Sequence, residues 1–178
     1  AIELPELASL HRHEDPGVRY FSGTATYRKN LDIPASSLGD DRRVILDLGR
    51  VEVIAAVTVN GRSAGVAWKE PYRLDITELV HAGANDLAVA GSTLWTNRLI
   101  GDEQLPAEDE FGLRDERGQD PHGIVRLPDW YRRGEPKPPG GRTTFATWRF
   151  YEKDEPLVAS GLLGPVRIFN PRRVTFEP

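Results

Sequence analysis

The chain has 178 residues, 39% of them hydrophobic, which is long enough for one domain with its own core. Its 17 glycines and 14 prolines indicate many turns and favour a turn-rich β protein, while the net charge of -4 gives no basic surface to collect nucleic acid. The absence of cysteine excludes a disulfide, a thiolate nucleophile and a Cys-ligated metal, and no apolar run reaches the roughly 18 residues of a membrane span. Methionine is also absent, even at position 1, so we expect a segment excised from a longer protein.

The first predicted elements are a lead-in and a long strand. Residues 1–17 mix charges with Pro5 and Pro16, which predicts a linker with a short helical turn at 7–11. A single domain is expected over 18–178. Its first strand is FSGTATYRKNLDIP, where side chains alternate between two faces until Pro34 ends the run.

A hairpin gives the strongest local signal in the chain. After a compact strand at 42–49, the segment 51–68 contains a further strand, the dipeptide Asn60-Gly61 and a return strand. Asn-Gly tolerates positive φ at both central positions of a tight hairpin turn, so both residues are expected to be structural. Asp75 and Thr77 are expected to bond local backbone, stop a strand and start a helical turn, after which 85–95 resumes strand character.

The last third of the chain breaks the pattern and then restores it. Residues 98–141 are rich in acids, Gly and Pro and are far longer than an ordinary connection, which predicts a long loop insertion. The run TTFATWRFY at 143–151 alternates and predicts a strand, and VRIFN adds another near the end. Because no window has a sustained 3.6-residue period, α/β folds are disfavoured, and about eight strands predict an all-β, antiparallel jelly-roll β-sandwich with the insertion.

Several of these stretches together resemble a known family. FSGTATYRKNLDIP, LDLGRVEVIAAVTVNGRSAGVAWKEPYRLDIT, GANDLAV, LWTNRLIGDEQLP and TTFATWRFYEKDEPLVASGLLGPVRI occur in this order over most of 18–168. They resemble the sugar-binding, galactose-binding-like β-sandwich of family 2 glycoside hydrolases and, more closely, the C-terminal domain of family 106 α-L-rhamnosidase-like proteins. The resemblance implies an accessory domain of an α-L-rhamnosidase or β-galactosidase type enzyme, with secretion or a periplasmic location, and with structural calcium as a recurrent feature of such sandwiches.

Self-contained catalysis is not expected. Glycoside hydrolysis generally needs two carboxylates about 5 to 10 Å apart across the scissile bond. Asp102 and Glu103 are adjacent in a predicted loop, as are the acids at 108–110, so these side chains are expected to repel one another rather than to face each other across a pocket. We therefore predict no catalytic residue in this chain.

Sugar recognition has candidate residues. It combines an aromatic face for the apolar side of a pyranose with planar polar groups for its hydroxyls. The predicted ligand-binding set is Trp95, Asn97, Arg98, Asp102, Glu103, Trp130 and Tyr131. Four of these residues have a plainer interpretation as well: Trp95 as sandwich core, as for Trp148 outside the set, Asn97 as a turn cap, and the pair at 130–131 as a loop anchor.

Two further alternatives stay open at this point. Calcium is expected, if anywhere, in the acidic insertion, and His11 and His13 form a His-x-His pair typical either of a transition-metal site or of a solvated tail. The expected partners are carbohydrate, the catalytic domain of a parent enzyme, or both, with neither nucleic acid nor membrane. The competing function is a structural interaction domain with no sugar site of its own.

Overall fold

The computed structural model describes residues 1–108, 110–112 and 123–174. Antiparallel strands dominate these residues, with three short α-helices. In chain order the elements are α1 Pro16–Arg19, β1 Thr24–Ile33, β2 Ile45–Asp47, β3 Arg50–Glu52, β4 Ile54–Val59, β5 Arg62–Ala67, β6 Arg73–Asp75, β7 Gly83–Ser92, α2 Thr96–Asp102, β8 Glu110–Phe111, β9 Ile124–Arg126, α3 Asp129–Arg132, β10 Gly161–Gly164 and β11 Arg167–Phe169. Among the described residues, no helix is long and apolar enough to cross a membrane.

The chain divides into two compact units, which we describe separately. The sandwich unit comprises Ala1–His13, Gly23–Leu94 and Ala159–Pro178. The insertion unit comprises Glu14–Ser22 and Trp95–Val158. The single domain expected over 18–178 stays a prediction.

The sandwich unit confirms the predicted all-β fold. A four-stranded sheet in the order β1-β7-β4-β5 and a three-stranded sheet in the order β11-β2-β6 are both antiparallel, and β10 pairs with β3. Along β4, exposed and buried residues alternate strictly, because successive side chains of a strand point to opposite faces. The buried side chains of both sheets form one core cluster of Ile33, Val44, Leu46, Leu48, Val51, Ala55, Val57, Val59, Ala67, Ile76, Leu87, Val89 and Leu162.

The Asn60-Gly61 turn joins β4 to β5 as predicted. Asn60 has φ 51° and Gly61 φ 75°, the positive values that this kind of turn requires. The Asn60 amide nitrogen donates to the carbonyl of Leu79 at 2.9 Å and to Oδ1 of Asn85 at 2.8 Å, and its oxygen accepts from the N–H of Asp86 at 2.9 Å. The turn residue therefore also holds the segment that leads into β7.

The segment at the start of the sandwich unit is packed against its own unit. Leu10 is 6% exposed and begins a short 3₁₀ helix, Leu10–Arg12, close to the helical turn predicted at 7–11. The Leu10 N–H donates to the carbonyl of Ser160 at 3.1 Å, and the Ser160 N–H donates to the Ser9 hydroxyl at 2.8 Å. Residues 9 and 10 are thus tied to the chain just before β10.

The insertion unit corrects two expectations. The segment after Trp95 is the helix α2 rather than a loop, and its Arg98–Asp102 ion pair has the i,i+4 spacing that stabilises a helix. Residues 143–151 form no strand beyond an isolated bridge between Trp148 and Gly123. The physical reason is that Thr144 donates its N–H to the side chain of Asp102 instead of to a neighbouring strand.

Candidate functional site

The helix α2 carries three of the seven predicted ligand-binding residues, and it begins directly after Trp95. Trp95 is 59% exposed, which excludes the core position that its place after β7 also allowed. Asn97 and Asp102 are each 1% exposed, so the helix turns them inward. Among the predicted ligand-binding residues, Trp95 is therefore exposed to solvent, whereas Asn97 and Asp102 are buried inside the insertion unit.

Asn97 is bonded to the protein backbone. Its amide nitrogen donates to the carbonyl of Val158 at 2.8 Å, and its oxygen accepts from the N–H of the same residue at 2.9 Å. This two-way pairing satisfies both backbone groups of Val158, which lies 61 residues further along the chain. The Asn97 side chain consequently holds the two ends of the insertion unit together rather than facing a ligand.

Asp102 forms an ion pair with Arg98 in which the carboxylate is buried and the guanidinium is partly exposed. The Arg98 guanidinium lies 2.9 Å from the Asp102 carboxylate, which also accepts from the Thr144 N–H at 2.6 Å and from its hydroxyl at 2.7 Å. Burial raises the pKa of Asp102, but the hydrogen bonds from Thr144 and Thr143 and the charge of Arg98 together hold this pKa below its usual value. Asp102 is therefore a fixed anion that positions the 143–144 backbone.

Gly101 makes room for this ion pair. A Cβ at position 101 would lie 2.6 Å from the Tyr20 side chain and 2.7 Å from a terminal nitrogen of Arg98. The Arg98 guanidinium also lies 5.9 Å from the centre of the Tyr20 ring, within reach of a cation–π contact. Arg98 and Asp102 are thus locked into the fold, and neither is placed to read a sugar hydroxyl.

Glu103 lies just beyond α2 and has a different environment. Its carboxylate accepts two hydrogen bonds from the guanidinium of Arg142, at 2.6 and 3.2 Å, and one from Arg149 at 3.3 Å. The Glu103 and Arg142 side chains are each 11% exposed, whereas Arg149 is 44% exposed. A fork-shaped pair of this kind fixes the direction of both groups.

These groups form part of the wall of a surface depression, which we call the Glu103 depression. It is shallow: its own volume is about 20 Å³, and about 340 Å³ is reached only when the open solvent at its mouth is included. The lining residues are Leu99, Glu103, Arg142, Thr144, Ala146, Trp148, Phe150 and Tyr151. Trp148 and Phe150 are 47% and 62% exposed, so aromatic surface meets an oriented ion pair in one place.

Sequence reasoning found Glu103 but missed most of its neighbours. Arg142, Thr144 and Tyr151 were not predicted as site residues, and Trp148 was weighed chiefly as core. The signal was present in TTFATWRFY, where aromatic residues alternate with small or polar ones. The alternation was interpreted as a strand, although the side chains of this segment line a depression.

Trp130 and Tyr131 lie elsewhere in the insertion unit, on α3. Their rings meet edge to face at 5.9 Å, and Tyr131 stacks on Phe145 with ring centres 6.0 Å apart. The Trp130 ring nitrogen lies 3.4 Å from Glu108, and Lys137 lies 5.8 Å from the centre of the same ring. Both residues are therefore anchored in an aromatic cluster that does not line the Glu103 depression.

Within residues 1–108, 110–112 and 123–174, no group of three or more acidic or histidine side chains is arranged to hold a metal ion. The His11 ring lies 2.6 Å from the Ser9 hydroxyl. Much of the acidic insertion falls at 109 and 113–122, outside the described residues, so the calcium expectation there stays a prediction.

Comparison with known proteins identifies the family. Residues 9–126, more than half of the chain, match the model of the family described as "Glycosyl hydrolase 2 galactose-binding domain-like". The chain belongs to this family. The family resemblance stated from the sequence is thereby confirmed.

Two relatives place the galactose-binding-like chain in context. A protein of Formosa agariphila described as "Putative beta-glucuronidase" is 43% identical over 167 residues, which are 94% of this chain and 14% of the relative. The solved structure of a rhamnosidase from Novosphingobium sp. PP1Y is 38% identical and matches with a TM-score of 0.70 over 96% of this chain and 13% of that one. The chain therefore spans about a seventh of these larger proteins.

Proposed function

We propose that this galactose-binding-like chain is a non-catalytic accessory part of a larger glycoside hydrolase and that it recognises carbohydrate in the Glu103 depression. The observation that carries the proposal is the Glu103–Arg142 pair, held by two hydrogen bonds in the wall of a depression that also presents the ring of Trp148. Sugar sites combine these features, because a ring face packs on the C–H side of a pyranose while oriented charged groups bond its hydroxyls. Orientation before binding reduces the entropy lost when the ligand docks.

The same geometry argues against hydrolysis in the depression. Glu103 is the one carboxylate among its eight lining residues, and it is paired with two arginines. Hydrolysis by the common mechanisms needs a second carboxylate across the bond and one acid with a raised pKa. Binding without bond cleavage is the chemistry that these side chains support.

The balance of charges around the depression indicates which class of sugar fits it. Arg142 and Arg149 both face Glu103, and Arg149 also lies 3.5 Å from Glu152, so the arginines are balanced by acids. Neutral pyranosides are the best fit to such a wall, and the relatives' descriptions name both a neutral deoxy sugar and an acidic one. Methyl α-L-rhamnoside and methyl β-D-glucuronide are therefore the first two probes.

The test is calorimetric titration of the isolated chain with each methyl glycoside, up to millimolar concentration. We expect saturable binding in the millimolar to high-micromolar range. Trp148→Ala should weaken it at least about fivefold, because stacking on an aromatic ring is worth about 1–3 kcal/mol by analogy with base stacking. Trp95→Ala is the matched control, since Trp95 is somewhat more exposed than Trp148 but does not line the depression. A binding heat that rises in proportion to sugar concentration without saturating, for both sugars, would contradict recognition in this depression. So would an equal loss of affinity in Trp148→Ala and Trp95→Ala.

A second candidate function is support of a neighbouring active-site rim by the insertion unit. The specific observation is the exposed aromatic surface outside the depression, where Tyr131 is 55% and its stacking partner Phe145 is 49% exposed. Exposed aromatic patches of this kind commonly mark protein contacts. In the larger enzyme, Phe145→Asp should then lower turnover several-fold while the melting temperature of the isolated chain changes by less than about 2 °C. Unchanged turnover would remove this candidate.

A further inference from the structure

One face of the four-stranded sheet in the sandwich unit is divided into a polar and an apolar half. The side chains of Val57, Val89 and Ala55 point into the core, so the residues that alternate with them point away from it. At one end of this outer face lie residues that are polar or charged, namely Arg28, Asn30, Asp32 and Asp86. At the other end the register brings together uncharged residues, the apolar Ile54, Ala56, Val66 and Ala90 with the hydroxyl-bearing Thr24, Thr26 and Ser92, which we call the apolar half-face.

The apolar half-face is exposed and carries no charge. Ile54 is 38% and Val66 50% exposed, and Trp68, one position beyond the Ala55–Ala67 pair, is 64% exposed. Lys69 lies over the Trp68 ring at 5.3 Å and marks the border of the patch. Sheets that face water normally alternate apolar residues inward with polar residues outward, and charged side chains on exposed strands discourage association. The polar half of the same face follows this rule, and the apolar half does not.

Small side chains make this half-face suitable for close packing. The central row consists of Thr26, Ala90, Ala56 and Val66 across all four strands. Because three of these four side chains are short, another surface can approach the sheet closely along this row. Contiguous exposed apolar surface of this kind is typical of a protein contact.

The size of the relatives indicates what kind of partner covers the apolar half-face. The matched segment is 14% of one relative and 13% of the other, so most of each polypeptide lies outside it. A domain joined to its neighbours meets them at high effective concentration, and contacts between domains of one chain bury about 600–1,500 Å². An uncharged patch requires an uncharged partner, since a charge buried against it would lose its solvation without gaining a partner.

We propose that the apolar half-face is the docking surface for an uncharged, apolar surface of a neighbouring domain in the same polypeptide. The proposal rests on the proposed function only in so far as that function places the chain in a larger glycoside hydrolase. It assigns the outer sheet face to domain contact and leaves the Glu103 depression to the ligand.

The experiment is hydroxyl-radical footprinting of the isolated chain and of the full-length enzyme. Ile54, Val66 and Trp68 should react readily in the isolated chain and several-fold more slowly in the enzyme. Val66→Glu should restore the reactivity of Ile54 and Trp68 in the enzyme, whereas Asn30→Glu, which adds the same charge at the polar end of the face, should leave the protection intact. Melting temperatures of the isolated variants within about 2 °C of the parent verify that each variant folds.

Two outcomes overturn the proposal. Equal reactivity of the three residues in both proteins would show that no domain covers the half-face. Protection of the isolated chain that grows with its concentration would assign the half-face to a second copy instead. Neither result depends on the sugar titration. If the isolated chain binds neither sugar while the half-face is protected in the full-length enzyme, only the proposed function is contradicted.

Discussion

The two units of this chain are stabilised in different ways. In the sandwich unit the fully buried side chains are almost all aliphatic, with Leu46, Leu48 and Ile76 at 0% exposure. In the described part of the insertion unit the largest fully buried side chains are Ile100, Asn97 and Asp102, so two of the three are polar. Apolar burial dominates the first unit, and directed polar contacts organise the second.

The difference determines which substitutions each unit can accept. Apolar burial is non-directional, so a core tolerates another side chain of similar volume. A hydrogen bond depends on the position of a specific donor and acceptor, and a buried group left without its partner loses stability. Three substitutions test whether the two units obey these different rules.

The largest expected effect is in the sandwich core. Leu46→Ala removes a fully buried side chain from the centre of β2 and leaves a cavity, which should lower the free energy of unfolding by about 2–5 kcal/mol. Leu94→Ala, at a leucine that is 56% exposed, is the matched control and should cost less than about 0.5 kcal/mol. Urea denaturation of both variants measures the difference; similar midpoints would show that burial at Leu46 does not stabilise this unit.

The next effect concerns the amide of the insertion unit. Asn97→Ala should lower the free energy of unfolding by about 1–3 kcal/mol, because the N–H and the carbonyl of Val158 lose their partner. Asn97→Leu has similar volume and should be no better than alanine, and exposed Asn30→Ala should be near neutral. If leucine restores stability, packing rather than hydrogen bonding explains the position, and the contrast between the units disappears.

The smallest effect is a pH dependence at Asp102. Its pKa is lowered in the folded protein from the ordinary value of 3.8, so its stabilising contribution is present above that value and is lost as pH falls through the folded pKa. Asp102→Asn should therefore melt at a lower temperature than the parent near neutral pH, and the gap should narrow below about pH 4.

The control for this measurement is Asp154→Asn, at an exposed carboxylate of the same unit. Thermal melts from pH 7 to pH 2.5 compare the three proteins. A gap between Asp102→Asn and the parent that stays constant over this range would mean that the Asp102 charge does not stabilise the insertion unit.

The same contrast explains how much could be predicted from the sequence. The strand expected within 51–68 is β4, and Asn60-Gly61 predicted the turn after it, because both signals are local to the residues that form the element. The all-β sandwich followed from such signals, and the family was expected from a resemblance over several stretches of the chain. The strand and the turn both belong to the sandwich unit.

The insertion unit resisted prediction because its partners are distant in sequence. Nothing near Asn97 indicates that Val158 accepts and donates to it, and nothing near Asp102 indicates Thr144. Alternation at 143–151 indicates which side chains point in the same direction, but it does not show whether a neighbouring strand is present to form backbone hydrogen bonds. Of the residues predicted to bind ligand, Glu103 lines the depression, whereas Arg142, Thr144 and Tyr151 emerged only from the structure.

Asn60 has two structural roles: its backbone forms the hairpin turn, and its side chain makes hydrogen bonds to a neighbouring segment. Glycine would satisfy the positive φ of the turn equally well, yet it has no amide to hold Leu79, Asn85 and Asp86. An Asn60→Gly variant would keep its hairpin turn but lose the side-chain hydrogen bonds to Leu79, Asn85 and Asp86. The pairing of β4 with β5 would then no longer be linked to the position of the chain at the start of β7. Homologous sequences that carry glycine here should then show a compensating side chain between positions 79 and 86.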